Sequence, residues 1–240
     1  MTQPRFPRLA GLMMLAVLLA GCSLAPAPTP PADAVAASAS APVAPPLPDG
    51  VRYRVDPAAS HLRIILAAEG PLAALGHPHV IGGAVIEGTV VVASPWQDSA
   101  FRLQIPVNRL ALDRPAWRAA EGLEPEVPAA AIAATRRNML GASQLNADAH
   151  PHIELASVAI TGPRWQPDVR VRVTLAGETS LHTVPVAVWW DDGQLAATGM
   201  LRTRFSELGL TPYAALGGGL RVADEIRIRF HIEALRNDNP

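Results

Sequence analysis

The chain has 240 residues, of which 20 are basic and 21 acidic, for a formal net charge of −1 at pH 7. This balance excludes the strong positive field with which proteins attract nucleic acid, so we expect no nucleic-acid partner. A single cysteine excludes a disulfide within the chain. None of these features indicates an oligomeric state.

Residues 1–21 resemble a bacterial lipoprotein signal peptide. Two arginines precede the apolar run Leu9–Leu19, which is too short to span a bilayer comfortably. The run ends in Leu-Ala-Gly-Cys, which is similar to a lipobox, where Cys22 would be acylated and become the mature N-terminus. By the same resemblance, Ser23 favours the outer membrane. We therefore expect Cys22 to be a lipid anchor that holds the protein to the bacterial envelope, facing the periplasm.

Residues 22–50 follow as a Pro-, Ala- and Ser-rich segment with almost no charge. Such a composition cannot bury a core and favours extended, solvated chain. We interpret this segment as a tether. Residues 51–236 have the length of one domain, and residues 237–240 form a short tail.

Alternation of apolar and polar residues with a period of two dominates the domain. Its clearest example is Val169–Leu175, where Val and Leu alternate with Arg and Thr. This pattern is typical of antiparallel strands with one face on an apolar interior and one in water. The predicted strands are Val51–Asp56, His61–Ala68, Gly76–Ala93, Phe101–Leu110, His152–Ile160, Val169–Gly177, Ser180–Asp191, Leu195–Phe205 and Arg221–Ala234. The arginines opposite the apolar residues are predicted to form a solvent face: Arg170, Arg172, Arg227 and Arg229.

A helical insertion interrupts the strands at residues 114–141. The spacing predicts helices over Arg114–Leu123 and Ala129–Leu140, the second capped by Gly141, and the insertion could close one end of the sheet. Asp192-Gly193 predicts a tight hairpin, and residues 177–179 predict a second turn. Eight or nine strands joined in this way favour either an up-and-down barrel or a sandwich. A barrel of about eight strands can enclose one small ligand.

The domain is similar to the YceI-like family over residues 52–235. Tyr53–Pro57 followed by Ser60 resembles the opening Tyr-x-Val-Asp-Pro-x-x-Ser of that family. Further stretches resemble family motifs in the same order, at His79–Gly88, Asn138–Ile153, Val173–Thr179, Met200–Phe205 and Val222–Ala234. The resemblance implies an all-β, eight-stranded antiparallel lipocalin-like barrel. It also implies non-enzymatic binding of an isoprenoid or other long-chain lipid.

If the interior binds a lipid, the inward residues of the strands are its predicted contacts, and the histidines at the strand mouth are its predicted polar contacts. Trp189 and Trp190 fall on opposite faces of their strand, so only one of them points inward. The predicted lumen lining is Leu62, Ile64, Leu66, Ile86, Val90, Leu103, Ile105, Val173, Leu175, Val188, Trp190, Ile228 and Phe230. The predicted polar mouth is His77 and His79.

Two other interpretations stay open. The pairs His77/His79 and His150/His152 each place two imidazoles two residues apart, and imidazole binds zinc or copper. A metal-binding or redox-associated periplasmic protein is therefore the alternative, although a proline inside each pair favours a polar rim or turn. A structural envelope protein with a barrel packed shut is the third interpretation. The motifs of serine hydrolases, phosphate loops and dinucleotide sites are missing from the sequence, so no catalytic residue and no cofactor are predicted.

Overall fold

The computed structural model describes residues 46–237, so the predicted signal peptide, Cys22 and most of the predicted tether lie outside it. Twelve strands and two α-helices are present within that range. The strands are β1 (Val51–Val55), β2 (His61–Glu69), β3 (His79–Gly83), β4 (Glu87–Val92), β5 (Ala100–Pro106), β6 (Ala111–Leu112), β7 (His152–Thr161), β8 (Asp168–Leu175), β9 (Glu178–Trp190), β10 (Gln194–Arg204), β11 (Ala214–Ala215) and β12 (Leu220–Arg236). The helices are α1 (Pro115–Ala120) and α2 (Ala129–Leu140).

Every strand pairing is antiparallel, and the sheet closes on itself through β12. β1 pairs with the last residues of β12, where Tyr53 faces Arg236, while β2 pairs with the same edge from Arg221 to His231. β1 and β2 are thus two halves of one barrel strand. β3 and β4 are likewise two halves of the next, because β3 pairs with β2 and β4 pairs with β1 and β5. With β5, β7, β8, β9, β10 and β12 they form a closed eight-stranded antiparallel barrel, which confirms the predicted fold.

The predicted continuous strand Gly76–Ala93 is wrong, because the chain leaves the sheet between β3 and β4. Two glycines flank this break, Gly83 at the end of β3 (φ +153°) and Gly88 near the start of β4 (φ +140°). Residues with a side chain rarely adopt these backbone conformations. A Cβ at Gly88 would also lie only 2.2 Å from the carbonyl oxygen of Arg102 on β5. Between the two strands, the side chains of Val85 and Ile86 turn into the core.

Smaller differences appear elsewhere along the chain. The predicted strand Phe101–Leu110 ends at Pro106 and continues as a turn of 3₁₀ helix. Asp192-Gly193 forms the predicted hairpin, with the Asp191 carboxylate accepting hydrogen bonds from two backbone amides of the turn. The other turn lies at Ala176-Gly177, one residue earlier than predicted. Both of these residues have positive φ, as a tight two-residue hairpin requires.

The segment from Tyr53 to Ser60 ties the break between β1 and β2 to β12. The fully buried Ser60 hydroxyl donates to the Asp56 carbonyl at 2.7 Å and accepts from the Glu233 amide at 3.1 Å. The Tyr53 hydroxyl donates to the Asp191 carbonyl, and burial raises the pKa of this phenol. These side chains close the barrel, which gives the motif that contains them a structural role.

The two helices take different positions. α2 lies across one end of the barrel and contributes residues to the wall of its interior. α1 instead packs outside the wall, where the Arg63 guanidinium of β2 lies 3.9 Å from the ring centroid of Trp117. The prediction that the whole insertion could close one end therefore holds for α2 and is wrong for α1. Within residues 46–237, neither helix has the length and apolar character needed to cross a membrane.

Candidate functional site

The barrel encloses a cavity of about 570 Å³, here called the lumen, with walls made almost wholly of apolar side chains. A packed-shut barrel is therefore wrong for this protein. The volume falls within the range of roughly 300–1,000 Å³ that is usual for small-molecule sites. The lumen extends from α2 at one end to the Trp96 and Trp190 side chains near the β9–β10 hairpin at the other. These two ends are called the α2 end and the hairpin end.

The structure places along the lumen every residue that the sequence suggested as lumen or mouth, including His77 and His79. The paired tryptophans divide as predicted, since Trp190 lines the lumen while Trp189 is 54% exposed on the outside. Alternation explains the inward position of those residues that lie on strands, because residues two apart on a strand share a face.

The lumen residues that sequence reasoning missed include two groups on elements for which it predicted none. The first lies on β10, where Leu195, Ala197 and Leu201 point inward by the same alternation that identified the other strands. The second comes from α2, which contributes Thr135 and Asn138, among others, to the wall. A helix that crosses a barrel end carries no period-two signal, so only the tertiary structure shows these contacts.

A buried charge cluster at the α2 end positions His79. The Asp113 carboxylate lies 2.7 Å from His79 Nδ1 and accepts hydrogen bonds from Arg118 Nη1 at 2.8 Å and from the Val80 amide at 3.0 Å. The side chains of Asp113 and Arg118 are 0% and 2% exposed. The sequence analysis did not identify Asp113, whose burial depends on contacts with His79 and Val80, 34 and 33 residues earlier in the chain.

Electrostatics keep Asp113 ionised. Burial alone would raise the pKa of this carboxyl group, but the hydrogen bonds from His79, Val80 and Arg118 outweigh that effect, so the pKa is lowered. The contact between the Asp113 carboxylate and Nδ1 orients the His79 ring, so that Nε2 points toward α2. Nε2 lies 3.5 Å from the hydroxyl of Thr135 on α2. The α2 end of the lumen therefore presents an oriented imidazole among apolar side chains.

A second polar group inside the barrel was not predicted. His182 on β9 is buried and lines the lumen, with Nε2 2.8 Å from the Ser180 hydroxyl. Burial lowers the pKa of this imidazole, although the nearby Glu207 acts in the opposite direction. Its inward position follows from the alternation of β9, which the sequence analysis applied to Val188 and Trp190 but not to the start of the strand.

The four histidines of the metal interpretation are not brought together. His79 bonds to Asp113, His150 packs against the Gly177 turn, and His152 faces Pro106 across the β5–β7 pair. Within residues 46–237, no group of three or more His, Cys, Asp or Glu side chains could hold a metal ion. The four do not form a shared site there.

Part of the predicted solvent face has a structural role. Arg227 and Arg229 on β12 lie 3.3 and 3.0 Å from the carboxylate of Glu121, which is only 7% exposed and follows α1. These two arginines face outward as predicted and, in addition, anchor the end of α1 on the barrel wall. The direction that alternation predicted for them is correct, since both side chains point outward.

The closed antiparallel barrel and its apolar lumen define a lipocalin-like barrel domain. The YceI-like domain model matches residues 53–234, and the chain belongs to the YceI-like family. Proteins of this family are generally non-enzymatic binding proteins.

A solved structure shows the same fold. Burkholderia cenocepacia BcnA superposes with a TM-score of 0.54 at 17% identity, covering 75% of this chain and 98% of BcnA. The Campylobacter jejuni YceI protein matches with a TM-score of 0.45 at 8% identity, covering 64% of this chain and 82% of that protein. No curated protein matches the chain.

Proposed function

We propose that this protein binds an isoprenoid or other long-chain lipid non-covalently in the lumen, and that it carries or sequesters this lipid in the bacterial envelope. The observation that supports the proposal is the lumen itself, an apolar cavity of about 570 Å³ inside a closed barrel. Each CH₂ group transferred from water to such a wall contributes about 0.8 kcal/mol. The costs of immobilising the lipid offset part of that gain.

The polar end of the lipid fits the α2 end. His77 and His79 are the proposed polar contacts, since both line the lumen there and His79 is held in position by Asp113. The hydrocarbon chain then extends toward Trp190 at the hairpin end. There the guanidinium of Arg164 lies 4.1 Å from the centroid of the Trp190 ring.

Anchoring through an acylated Cys22 belongs to the same proposal and is supported by the sequence. It would place the barrel at a membrane surface, where long-chain lipids are available. The resemblance at Ser23 favours the periplasmic face of the outer membrane. Detection of an acylated N-terminal cysteine in protein from the bacterial envelope would test this part, and an unmodified Cys22 in mature protein would contradict it.

The test of lipid binding is native mass spectrometry of the protein purified from a bacterial envelope, followed by titration with a fluorescent long-chain lipid. Ala197→Trp places an indole into the lumen from β10, and we expect it to lower lipid occupancy strongly. Ala196→Trp is the matched control, because this neighbour lies on the outer face opposite Trp189. A wild-type barrel without lipid that takes none up on titration would refute the proposal, as would equal lipid binding by both variants.

A further inference from the structure

The barrel wall is incomplete between β9 and β10. Their pairing runs only from Trp190 opposite Leu195 to Val186 opposite Gly199. Beyond that point residues 178–185 stay paired with β8, and residues 200–204 stay paired with β12. The two strands therefore share no backbone ladder along the half of β9 nearer the α2 end. We call this region the β9–β10 split.

Pro185 explains where the pairing stops. The amide of Val186 donates to the Pro167 carbonyl, on the β8 side of the strand. Since successive backbone groups of a strand point to opposite sides, the nitrogen of residue 185 faces β10. Proline has no hydrogen there, so the ladder loses a donor at the first position of the split.

Side chains fill the split in place of backbone bonds. A cleft in the outer surface is lined from β9 by Ser180, Leu181, His182 and Thr183, and from β10 and the turn after it by Leu201, Arg202 and Glu207. Two of these residues, His182 and Leu201, also line the lumen. A single layer of side chains therefore separates the outer cleft from the lumen.

The polar link across this layer is weak. Thr203 Oγ1 on β10 lies 3.5 Å from His182 Nδ1 on β9, at the long limit for a hydrogen bond, while it donates to Glu207 at 2.8 Å. Opening the split therefore breaks no backbone ladder, and the polar link across it is a single long contact. Side-chain rotamer changes of this kind are fast compared with rupture of a sheet.

Each rim of the split carries one exposed apolar side chain among polar ones. Leu181 on β9 and Met200 on β10 are 48% and 43% exposed, although both strands otherwise carry many polar groups on this face. The α2 end, which is the adjacent opening of the barrel, is covered by α2. A hydrocarbon chain that leaves the lumen sideways would thus contact apolar side chains on its way.

We propose that the β9–β10 split is a lateral portal through which the hydrocarbon chain of the bound lipid enters and leaves the lumen, gated by the His182 and Leu201 side chains. This inference rests on the proposed lipid-binding function. A portal lowers the free-energy barrier for lipid entry and for lipid exit by the same amount. We therefore expect the split to change the rate of lipid exchange and to leave the affinity for the lipid unchanged.

Cross-linking the split tests the portal. The experiment uses the full chain with Cys22→Ser, which removes the native thiol. Two further substitutions, Thr183→Cys and Arg202→Cys, introduce one thiol on each outer rim, and a short cleavable bismaleimide joins them. The matched control is Ala187→Cys with Thr198→Cys, which joins the same two strands where they are already paired. The measurement is the transfer rate of a fluorescent long-chain lipid between the protein and phosphatidylglycerol-containing vesicles, together with its equilibrium affinity.

We expect the cross-linked split to slow transfer by about tenfold or more, with the affinity unchanged and the rate restored when the linker is cleaved. The control cross-link should leave the rate at its original value. Equal transfer rates in all forms, or equal slowing by both cross-links, would overturn the portal while leaving lipid binding intact. If no form binds the lipid, the proposed function fails and the portal fails with it.

Discussion

Asp113→Asn is the substitution that most directly tests the buried charge cluster. Asp113 has a φ of +50°, a left-handed conformation that asparagine also tolerates, so the substitution removes a charge without adding backbone strain. It leaves the guanidinium of Arg118, which is 2% exposed, without the carboxylate that neutralises it. The experiment therefore isolates the electrostatic contribution of one carboxylate.

The expected loss in the free energy of unfolding is about 3 kcal/mol, the lower end of the range for breaking a buried ion pair by removing one partner. The reason is that Arg118 remains buried and charged. Replacing both partners, as in Asp113→Asn with Arg118→Met, removes that charge, and we expect the pair of substitutions to cost less than Asp113→Asn alone. Denaturant unfolding followed by tryptophan fluorescence measures all three proteins.

The matched control is Arg109→Ala, which breaks the ion pair between Arg109 and Glu87. Those side chains are 48% and 31% exposed, so the expected cost is below about 1 kcal/mol. If Asp113→Asn costs no more than this control, the buried cluster does not stabilise the fold in the way argued.

The lowered pKa of Asp113 also makes the stability of the protein depend on pH. Its stabilising contribution is present above the ordinary pKa of an aspartate and is lost as the pH falls through the lowered value, so the variant should show a shallower loss of stability in acid.

Three further predictions concern other parts of the barrel. Ser60→Ala leaves the Glu233 amide without its side-chain acceptor, and denaturant unfolding should show a loss of about 1–3 kcal/mol, whereas no loss would refute the closing role of Ser60. Gly88→Ala places a Cβ against the next strand and should lower the melting temperature more than Gly122→Ala, whose Cβ meets nothing within 4 Å; equal effects would contradict the close approach. Burial lowers the pKa of His182, so the unfolded chain binds a proton there more readily than the folded protein does. The fold is therefore most stable above the ordinary pKa of a histidine, and it loses stability as the pH falls from there toward the lowered value. Melting temperatures at pH 7 and 5 should therefore differ less for His182→Gln, and an unchanged difference would contradict this account.

The sequence by itself determined most of the strands and the direction in which many of their side chains point. Alternation in Val169–Leu175 and in the residues around Trp190 is a local property, because a strand turns successive side chains to opposite sides whatever it pairs with. Interior lining could therefore be predicted one strand at a time. The family motifs added the eight-stranded closure, which local pattern alone left undecided between a barrel and a sandwich.

Only the tertiary structure decided which segments meet. Asp113 lies just before the predicted helix Arg114–Leu123, and its burial depends on Arg118 within that helix and on His79, 34 residues earlier in the chain. The break between β3 and β4 and the split between β9 and β10 likewise depend on the strands alongside. Pairing of this kind is long-range, so the alternation that identifies a strand carries no information about where its neighbour ends.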